Sequence, residues 1–389
     1  MTNKTRIGVI GVGNMGREHA RYLAAGDLPD ATLAAIADPG APALDWASEN
    51  LPDTVERFDD AEALMASGKV DAVIVAAPHY FHPPLAIAAL KHGLHVLVEK
   101  PAGVYVKQVR EMNEAAAKSD RVFGIMFNQR TRPLHQKMRE LIAAGEVGEI
   151  RRTQYVITNW FRSQYYYDSG GWRATWAGEG GGVLVNQCPH NLDLWQWFCG
   201  MPTRVRAFCG FGRHHDIEVE DDVSAYVEYK NGATGTFVTT TGEAAGQNYL
   251  NVIGDRGRLQ MEGNSITFWR TSGSVREFTQ TTDQAFASPE TWRCEIPVEK
   301  NADGNEHRAI TRGFVAAIRD GKPLLASGDE GINGVQLANA MLLSAWTDDW
   351  ASIPTPEEKY YELLQEKIRT SAANKKTVTG KTLDLTGTY

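Results

Sequence analysis

The most constraining feature of this chain is residues 6–16, RIGVIGVGNMG. The apolar run at residues 7–10 stops at three glycines, Gly11, Gly13 and Gly16, and a helix-like pattern follows at residues 19–23. Strand, tight turn and helix are the predicted order. Gly11 suits the turn, Gly13 lets the backbone approach a pyrophosphate, and Gly16 lets the helix pack closely on the strand. With Asn14 and Met15 between the glycines, the first amides of the helix and its positive dipole end would face that pyrophosphate. A glycine spacing alone is weak support. Here a second buried run, residues 33–37, ends at Asp38, where a carboxylate would meet an adenosine ribose diol. The plainer alternative is that Asp38 only caps a loop. The following Pro39-Gly40-Ala41 offers no basic partner for a 2′-phosphate, so the cofactor expected is NAD rather than NADP.

That unit sits in a chain of 389 residues, long enough for two domains. The first third alternates helix and strand. Helices are expected at Ala41–Asn50, 61–67, 84–92 and 104–118, and strands at 54–58, 70–77, 94–98 and 122–127. The strands are near-continuous apolar runs, as in a parallel sheet covered on both faces, so a doubly wound α/β sheet follows, with ligands at the C-terminal strand ends. After residue 128 the texture changes. A helix at 133–144 and a long strand at 150–161 lead into a loop at 162–171 that carries Tyr165, Tyr166 and Tyr167. Strands at 203–211, 223–229, 234–240, 249–253 and 258–261, separated by glycine turns, predict a large, mostly antiparallel open sheet. Helices at 306–320 and 331–350 follow, then a polar tail read as an arm across the surface or onto a neighbouring subunit. The expected domains are 1–128 for the dinucleotide, 129–350 for substrate and oligomerisation, and 351–389 for the arm. Apolar residues on both alternations of 223–229 and 234–238 leave a sheet face in need of a cover, so a homo-oligomer, dimer or tetramer, is expected.

The bulk properties exclude several classes. A net charge of -8 argues against nucleic acid as a partner. No apolar run approaches membrane-spanning length and the N-terminus lacks a signal-peptide layout. Cys188, Cys199, Cys209 and Cys294 lack metal-ligand spacing and read as thiols in a reducing compartment. A cytoplasmic protein without a metal is the expectation.

Three features point at the junction of the two domains. Glu99-Lys100-Pro101 ends a buried strand, where such a sheet presents groups to its ligand; a solvated lysine on a turn is the alternative. Residues 180–200 open on a glycine run and read as one helix on which Asn186, His190, Asp193 and Trp197 share a face. His190 is the natural general base of that stripe, against the alternative of a satisfied core histidine. Trp172 and Arg173 lie just upstream, suited to packing on a ring and bonding hydroxyls or a carboxylate.

Taken together and in this order, the glycine turn, Glu99-Lys100-Pro101 and the glycine-rich approach to His190 resemble the glucose–fructose oxidoreductase/inositol dehydrogenase (Gfo/Idh/MocA) family of NAD(P)-dependent oxidoreductases. The resemblance runs over about residues 5–350. It implies a Rossmann domain followed by an α/β domain whose open sheet mediates oligomerisation. The implied chemistry is oxidation of a ring hydroxyl of a sugar, cyclitol or glycoside to a ketone, or the reverse. By the same resemblance the catalytic lysine is Lys100, the catalytic histidine His190, and the polar residue four before it Asn186, commonly an aspartate. Asp193 matches an acidic position that often touches substrate hydroxyls. Ala77, Pro78, His82 and Glu99 fall on the cofactor side, and Asn128, Trp172 and Arg173 on the substrate side. Asn186 is a departure: an amide cannot ionise in a Lys–Asp–His relay, although it can hold a hydroxyl by donating and accepting. Two other readings keep the fold: redox-neutral glycoside cleavage or epimerisation through a transient keto-sugar with retained NAD, and a non-catalytic NAD-dependent regulator.

Overall fold

A computed structural model describes residues 4–299 and 306–371. The first sheet has six parallel strands, β1 (Thr5–Ile10), β2 (Ala31–Ala37), β3 (Glu56–Phe58), β4 (Ala72–Val75), β5 (His95–Val98) and β6 (Phe123–Ile125), in the order β3-β2-β1-β4-β5-β6. Ile7, Val9, Ile74 and Val96 are fully buried, because helices cover both faces. The order reverses between β1 and β4, and there a crevice opens at the C-terminal strand ends.

The second sheet has nine strands in the order β14-β13-β12-β11-β7-β10-β9-β8-β15. They are β7 (Ile150–Ile157), β8 (Arg204–Phe211), β9 (Glu220–Glu228), β10 (Thr234–Thr240), β11 (Asn248–Gly254), β12 (Gly257–Glu262), β13 (Ser265–Thr271), β14 (Thr291–Ile296) and β15 (Ala351–Ser352). Among the described residues, only β7 and β10 of this sheet pair in parallel. One face buries Val205, Val223, Val227, Phe237 and Leu250 under the helices Pro189–Cys199 and Gly331–Thr347. The chain is thus an α/β protein with a parallel Rossmann sheet and a larger, mostly antiparallel one. Strands β13, β14 and β15 extend the sheet beyond the predicted set.

Three segments differ from expectation. The stretch 180–200 is not one continuous helix. Cys188 N donates to Val183 O at 2.8 Å, an i→i−5 bond that widens the turn Val183–Gln187, and Pro189 then starts a separate α-helix to Cys199. The helix Glu306–Asp320 returns to the first sheet, where Ile310, Phe314 and Val315 join the Rossmann core and Arg308 pairs with Asp27 at 2.9 Å. Over residues 351–371 the tail is a strand and a helix packed on its own chain. Strand β15 pairs with β8, and the helix Glu357–Thr370 packs on its own chain through Tyr360 and Leu364, an i,i+4 apolar pair within a polar sequence. Arg110–Glu357 and Lys107–Glu358 contacts at 3.0 and 2.9 Å dock it against the helix Val106–Ala117. The rest of that predicted arm, 372–389, lies outside the described residues.

Candidate active site

The glycine turn is held by close approach. Gly11 has φ +90°, and a Cβ at Gly16 would lie 1.8 Å from Gly11 O. Gly13 differs, because a Cβ there would meet nothing within 4 Å. No side chain caps the helix Asn14–Ala24, whose first amides are left for a ligand. Asp38 ties the turn to β2: Oδ2 accepts from Val12 N at 2.7 Å and Oδ1 from Gly40 N at 2.8 Å. A cleft of 710 Å³ runs from this turn into the second domain. Gly11, Gly13, Asn14, Met15, Asp38, Ala77, Pro78, His82, Glu99, Lys100, Trp172, Arg173 and Asn186 all line it; Gly16 does not, since its place is between helix and strand. Open space above Gly13, uncapped amides and a carboxylate at the end of β2 fit an NAD molecule. His82 lines the cleft with its ring spanning two backbone oxygens, Ala77 O at 2.6 Å and Pro101 O at 2.7 Å. Its ring therefore joins two loops.

Lys100 follows β5 and points into the cleft. Burial lowers its pKa below the usual lysine range; Arg173 and Arg162 act the same way, and Glu99 and Glu179 oppose them. Glu99 is fully built in. Its Oε1 pairs with His19 Nε2 at 2.8 Å, and its Oε2 accepts from Lys100 N at 3.1 Å. The chain continues from His19 Nδ1 to the Tyr22 hydroxyl at 2.7 Å and on to Thr311 Oγ1 at 2.8 Å. Burial alone would raise the Glu99 carboxyl, but the His19 bond and the charges of His19, His307 and Lys100 bring it to about 2. A fixed carboxylate under the lysine backbone thus holds the end of β5 in place.

The glycine run brings the second domain over the cleft. A Cβ at Gly182 would lie 2.0 Å from Glu220 O, so only glycine fits against β9. Glu220 Oε1 accepts from Gly182 N at 2.9 Å and Leu184 N at 3.1 Å, and burial pushes this carboxyl up to about 7. The wide turn then presents Asn186, whose Nδ2 donates to Glu179 Oε1 and, at 3.3 Å, to the Tyr166 hydroxyl. Arg173 donates to the same hydroxyl at 2.8 Å and stacks on the Tyr166 and Trp172 rings. Trp172 also meets His79 edge-on at 5.5 Å. Sequence reasoning did not single out His79 or Glu179 as site residues, and noted Tyr166 only as one of three tyrosines crowding its loop. Glu179 had a usable signal, an acid directly before a glycine run.

His190 is 3% exposed, and neither ring nitrogen has a hydrogen-bond partner among the described residues. Burial drives its pKa well below the usual histidine value, with the charges of Lys100, His307, Arg132 and His135 adding to the effect. Asn128 is buried too; its Nδ2 donates to Glu306 at 3.1 Å while its Oδ1 is unpartnered among the described residues. His190 and Asn128 are not among the residues that line the cleft of this unliganded chain. His307 joins this group from the helix Glu306–Asp320, a placement invisible in sequence; burial brings its pKa down to about 4. Asp193 goes elsewhere. Its two oxygens take Arg130 Nε at 2.8 Å and an Arg130 terminal nitrogen at 2.6 Å, and Arg130 has no solvent exposure. An expected substrate contact is thus a buried ion pair, and Trp197 stacks on the same guanidinium at 5.1 Å.

A parallel dinucleotide sheet that presents a lysine at the end of β5, roofed by a second, mixed-sheet domain bearing a histidine and an amide, is the arrangement of a two-domain nucleotide-dependent oxidoreductase. Comparison with known proteins makes this specific. Residues 5–127 match the oxidoreductase family with an NAD-binding Rossmann fold, and residues 135–260 match the GFO/IDH/MocA C-terminal domain. The chain belongs to the Gfo/Idh/MocA oxidoreductase family. An inositol 2-dehydrogenase of Corynebacterium glutamicum is 32% identical over 201 residues, 51% of this chain and 56% of that protein. The match therefore spans little more than half of that relative. D-glucoside 3-dehydrogenase of Escherichia coli is 27% identical over 364 residues, 88% of this chain and 95% of that protein. Levoglucosan dehydrogenase in complex with NADH and levoglucosan has the same fold, with a TM-score of 0.74 at 21% identity over 91% of this chain and 100% of that one.

Proposed function

We propose that this chain is an NAD-dependent dehydrogenase that oxidises a ring hydroxyl of a sugar, cyclitol or glycoside to a ketone. The observation that carries the proposal is His190: a buried histidine, neutral and with both nitrogens unpartnered among the described residues, beside a lysine charge at the end of a Rossmann strand. A buried polar group without a partner costs stability, so its retention suits a ligand-binding role. Gly11, Gly13, Asn14, Met15 and Asp38 would hold NAD, with Ala77, Pro78 and Glu99 along the same wall. When bound, NAD supplies the hydride acceptor. The chain's own groups do the rest. Neutral His190 accepts the hydroxyl proton at a ring nitrogen. The Lys100 ammonium faces the oxygen as it gains negative charge, an electrostatic effect of the oxyanion-hole kind. Asn186, Trp172, Arg173 and Asn128 orient the ring.

A panel of sugars, cyclitols and glycosides, with NADH and product mass both recorded, tests the reading. A ketone formed with one equivalent of NADH supports it. Product of altered linkage or configuration without NADH release would replace it by the redox-neutral reading, and no turnover of any member would leave a regulator.

NAD is expected to be preferred over NADP by at least about tenfold in kcat/KM. Asp38 lines the cleft together with Asp59 and Asp60, three carboxylates that would repel a 2′-phosphate. Equal use of NADP would overturn the assignment of Asp38.

The outer face of the large sheet supports a homo-oligomer. Phe208 is 64% exposed and Tyr226 40% exposed, and the register carries this face onward through Val238, Val156 and Tyr249. Such an apolar row in water favours a cover. Light scattering is expected to return a multiple of 42.9 kDa, and Phe208→Asp together with Tyr226→Asp to reduce it. A monomer at micromolar concentration would refute this.

A further inference from the structure

We propose that Glu179 is the positioning carboxylate of this site, fixing the Asn186 amide toward the substrate and supporting the charge on Lys100. The inference rests on the dehydrogenase reading above and deepens it.

Glu179 is 1% exposed, on the turn between Trp176 and the glycine run. Both its oxygens accept: Oε2 from Ala174 N at 2.6 Å, Oε1 from Asn186 Nδ2. Arg173 stands 4.0 Å from Oε1. That donor set suits an ionised carboxylate, which only accepts. An amide has a donating and an accepting end. With Nδ2 drawn to Glu179 and the Tyr166 hydroxyl, the Asn186 Oδ1 is the end left to take a hydrogen bond from a substrate hydroxyl. Asn186 thus gains orientation from a charge seven residues earlier, without carrying one itself.

The same carboxylate acts on Lys100. The charged and titratable groups facing Lys100 are Glu99 from its own strand end, Arg162 and Arg173 from the tyrosine-rich segment, and Glu179 from the glycine turn. His79, His82, His190 and His307 also sense the lysine charge. Glu179 itself faces Arg173, Tyr167 and Glu220. Two carboxylates therefore balance two guanidiniums around the lysine. Without Glu179, Glu99 alone opposes both, and Lys100 sheds its proton at lower pH.

The arrangement makes a distinctive prediction about moving the charge. Asn186→Asp sets a second carboxylate against Glu179, and two close like charges cannot both ionise freely. Glu179→Gln alone removes the orienting charge. Glu179→Gln with Asn186→Asp moves the single charge across the pair and leaves one donor and one acceptor facing each other again.

The test uses the full chain. In the unliganded protein, the pH dependence of Lys100 acetylation by acetic anhydride is read by peptide mass spectrometry. With substrate, kcat, both KM values and the alkaline limb of kcat/KM are measured. Glu179→Gln is expected to shift the acetylation profile and the alkaline limb together to lower pH, and to cut kcat by about tenfold or more, with KM for NAD little changed. Glu179→Asp, which keeps the charge, should restore the wild-type limb. Asn186→Asp should lower kcat, and the double variant should recover most of the loss of either single. An unchanged acetylation profile in folded Glu179→Gln, or a double variant no better than its poorer parent, overturns the proposal. A wild-type protein that turns over no sugar refutes the dehydrogenase reading instead, while the acetylation profile still judges Glu179.

Discussion

His190→Ala is expected to lower kcat by about 10³-fold while NAD binding and the fold survive. The side chain touches neither the glycine turn nor Asp38, so titration calorimetry with NAD should give a near-wild-type Kd. The pH profile supplies the more specific test. Burial and the neighbouring Lys100, His307, Arg132 and His135 charges hold His190 neutral well below the usual histidine pKa. A base must be neutral to accept a proton, so wild-type kcat/KM should stay high through pH 6.5, the ordinary histidine value, and fall only at lower pH. In His190→Ala that acid limb should vanish. Lys100→Ala should cost about 10²–10³-fold, since it removes the charge aimed at the alkoxide. In the proposed mechanism the two groups act on one oxygen, so the double variant should be little worse than the poorer single one. Near-full kcat with an unchanged acid limb in His190→Ala would withdraw the role of base.

Asp193→Ala is expected to destabilise the protein by about 3–5 kcal/mol, because it leaves Arg130 buried without its principal counter-charge. Arg130 also donates to Leu325 O at 3.1 Å and pairs with Glu330 at 2.7 Å, so it ties together the end of the first sheet, the helix Pro189–Cys199 and the segment before the helix Gly331–Thr347. Urea unfolding would read the loss directly. Replacing both partners, Arg130→Met with Asp193→Leu, should recover much of it, since a hydrophobic pair leaves no stranded charge. The alternative, in which Asp193 touches substrate, predicts a raised sugar KM with stability within about 0.5 kcal/mol of wild type. That result would reverse the structural assignment.

Asn186 and Asp193 show how far a sequence stripe can be read. On a uniform helix they share a face with His190, which makes three polar groups look like one site. The wide turn at Val183–Gln187 sets Asn186 apart from the helix that carries the others. Asn186 lines the cleft, whereas Asp193 faces a guanidinium 63 residues away in sequence. Periodicity assigns a face; what stands opposite that face depends on another element's path. The tail shows the same limit. Its polarity suggested an arm, and the structure adds that Tyr360 and Leu364 join the core of the second domain, with Trp346 stacked on Tyr360.

What the sequence determined by itself was local. The run into Gly11, the close packing that Gly16 permits, Asp38 ending β2 and Lys100 ending β5 follow from neighbours in the chain and from the burial a parallel sheet demands. Each is fixed within a few residues, so a pattern along the chain suffices. Only the tertiary structure decided which groups meet. The return of the helix Glu306–Asp320 brings His307 and Thr311 to the first domain. The glycine run against β9 sets Asn186 beside Glu179. The buried Arg130 guanidinium takes both oxygens of Asp193. These pairings depend on where packed elements bring distant residues, and on the rule that a buried charge or amide must find its partner there.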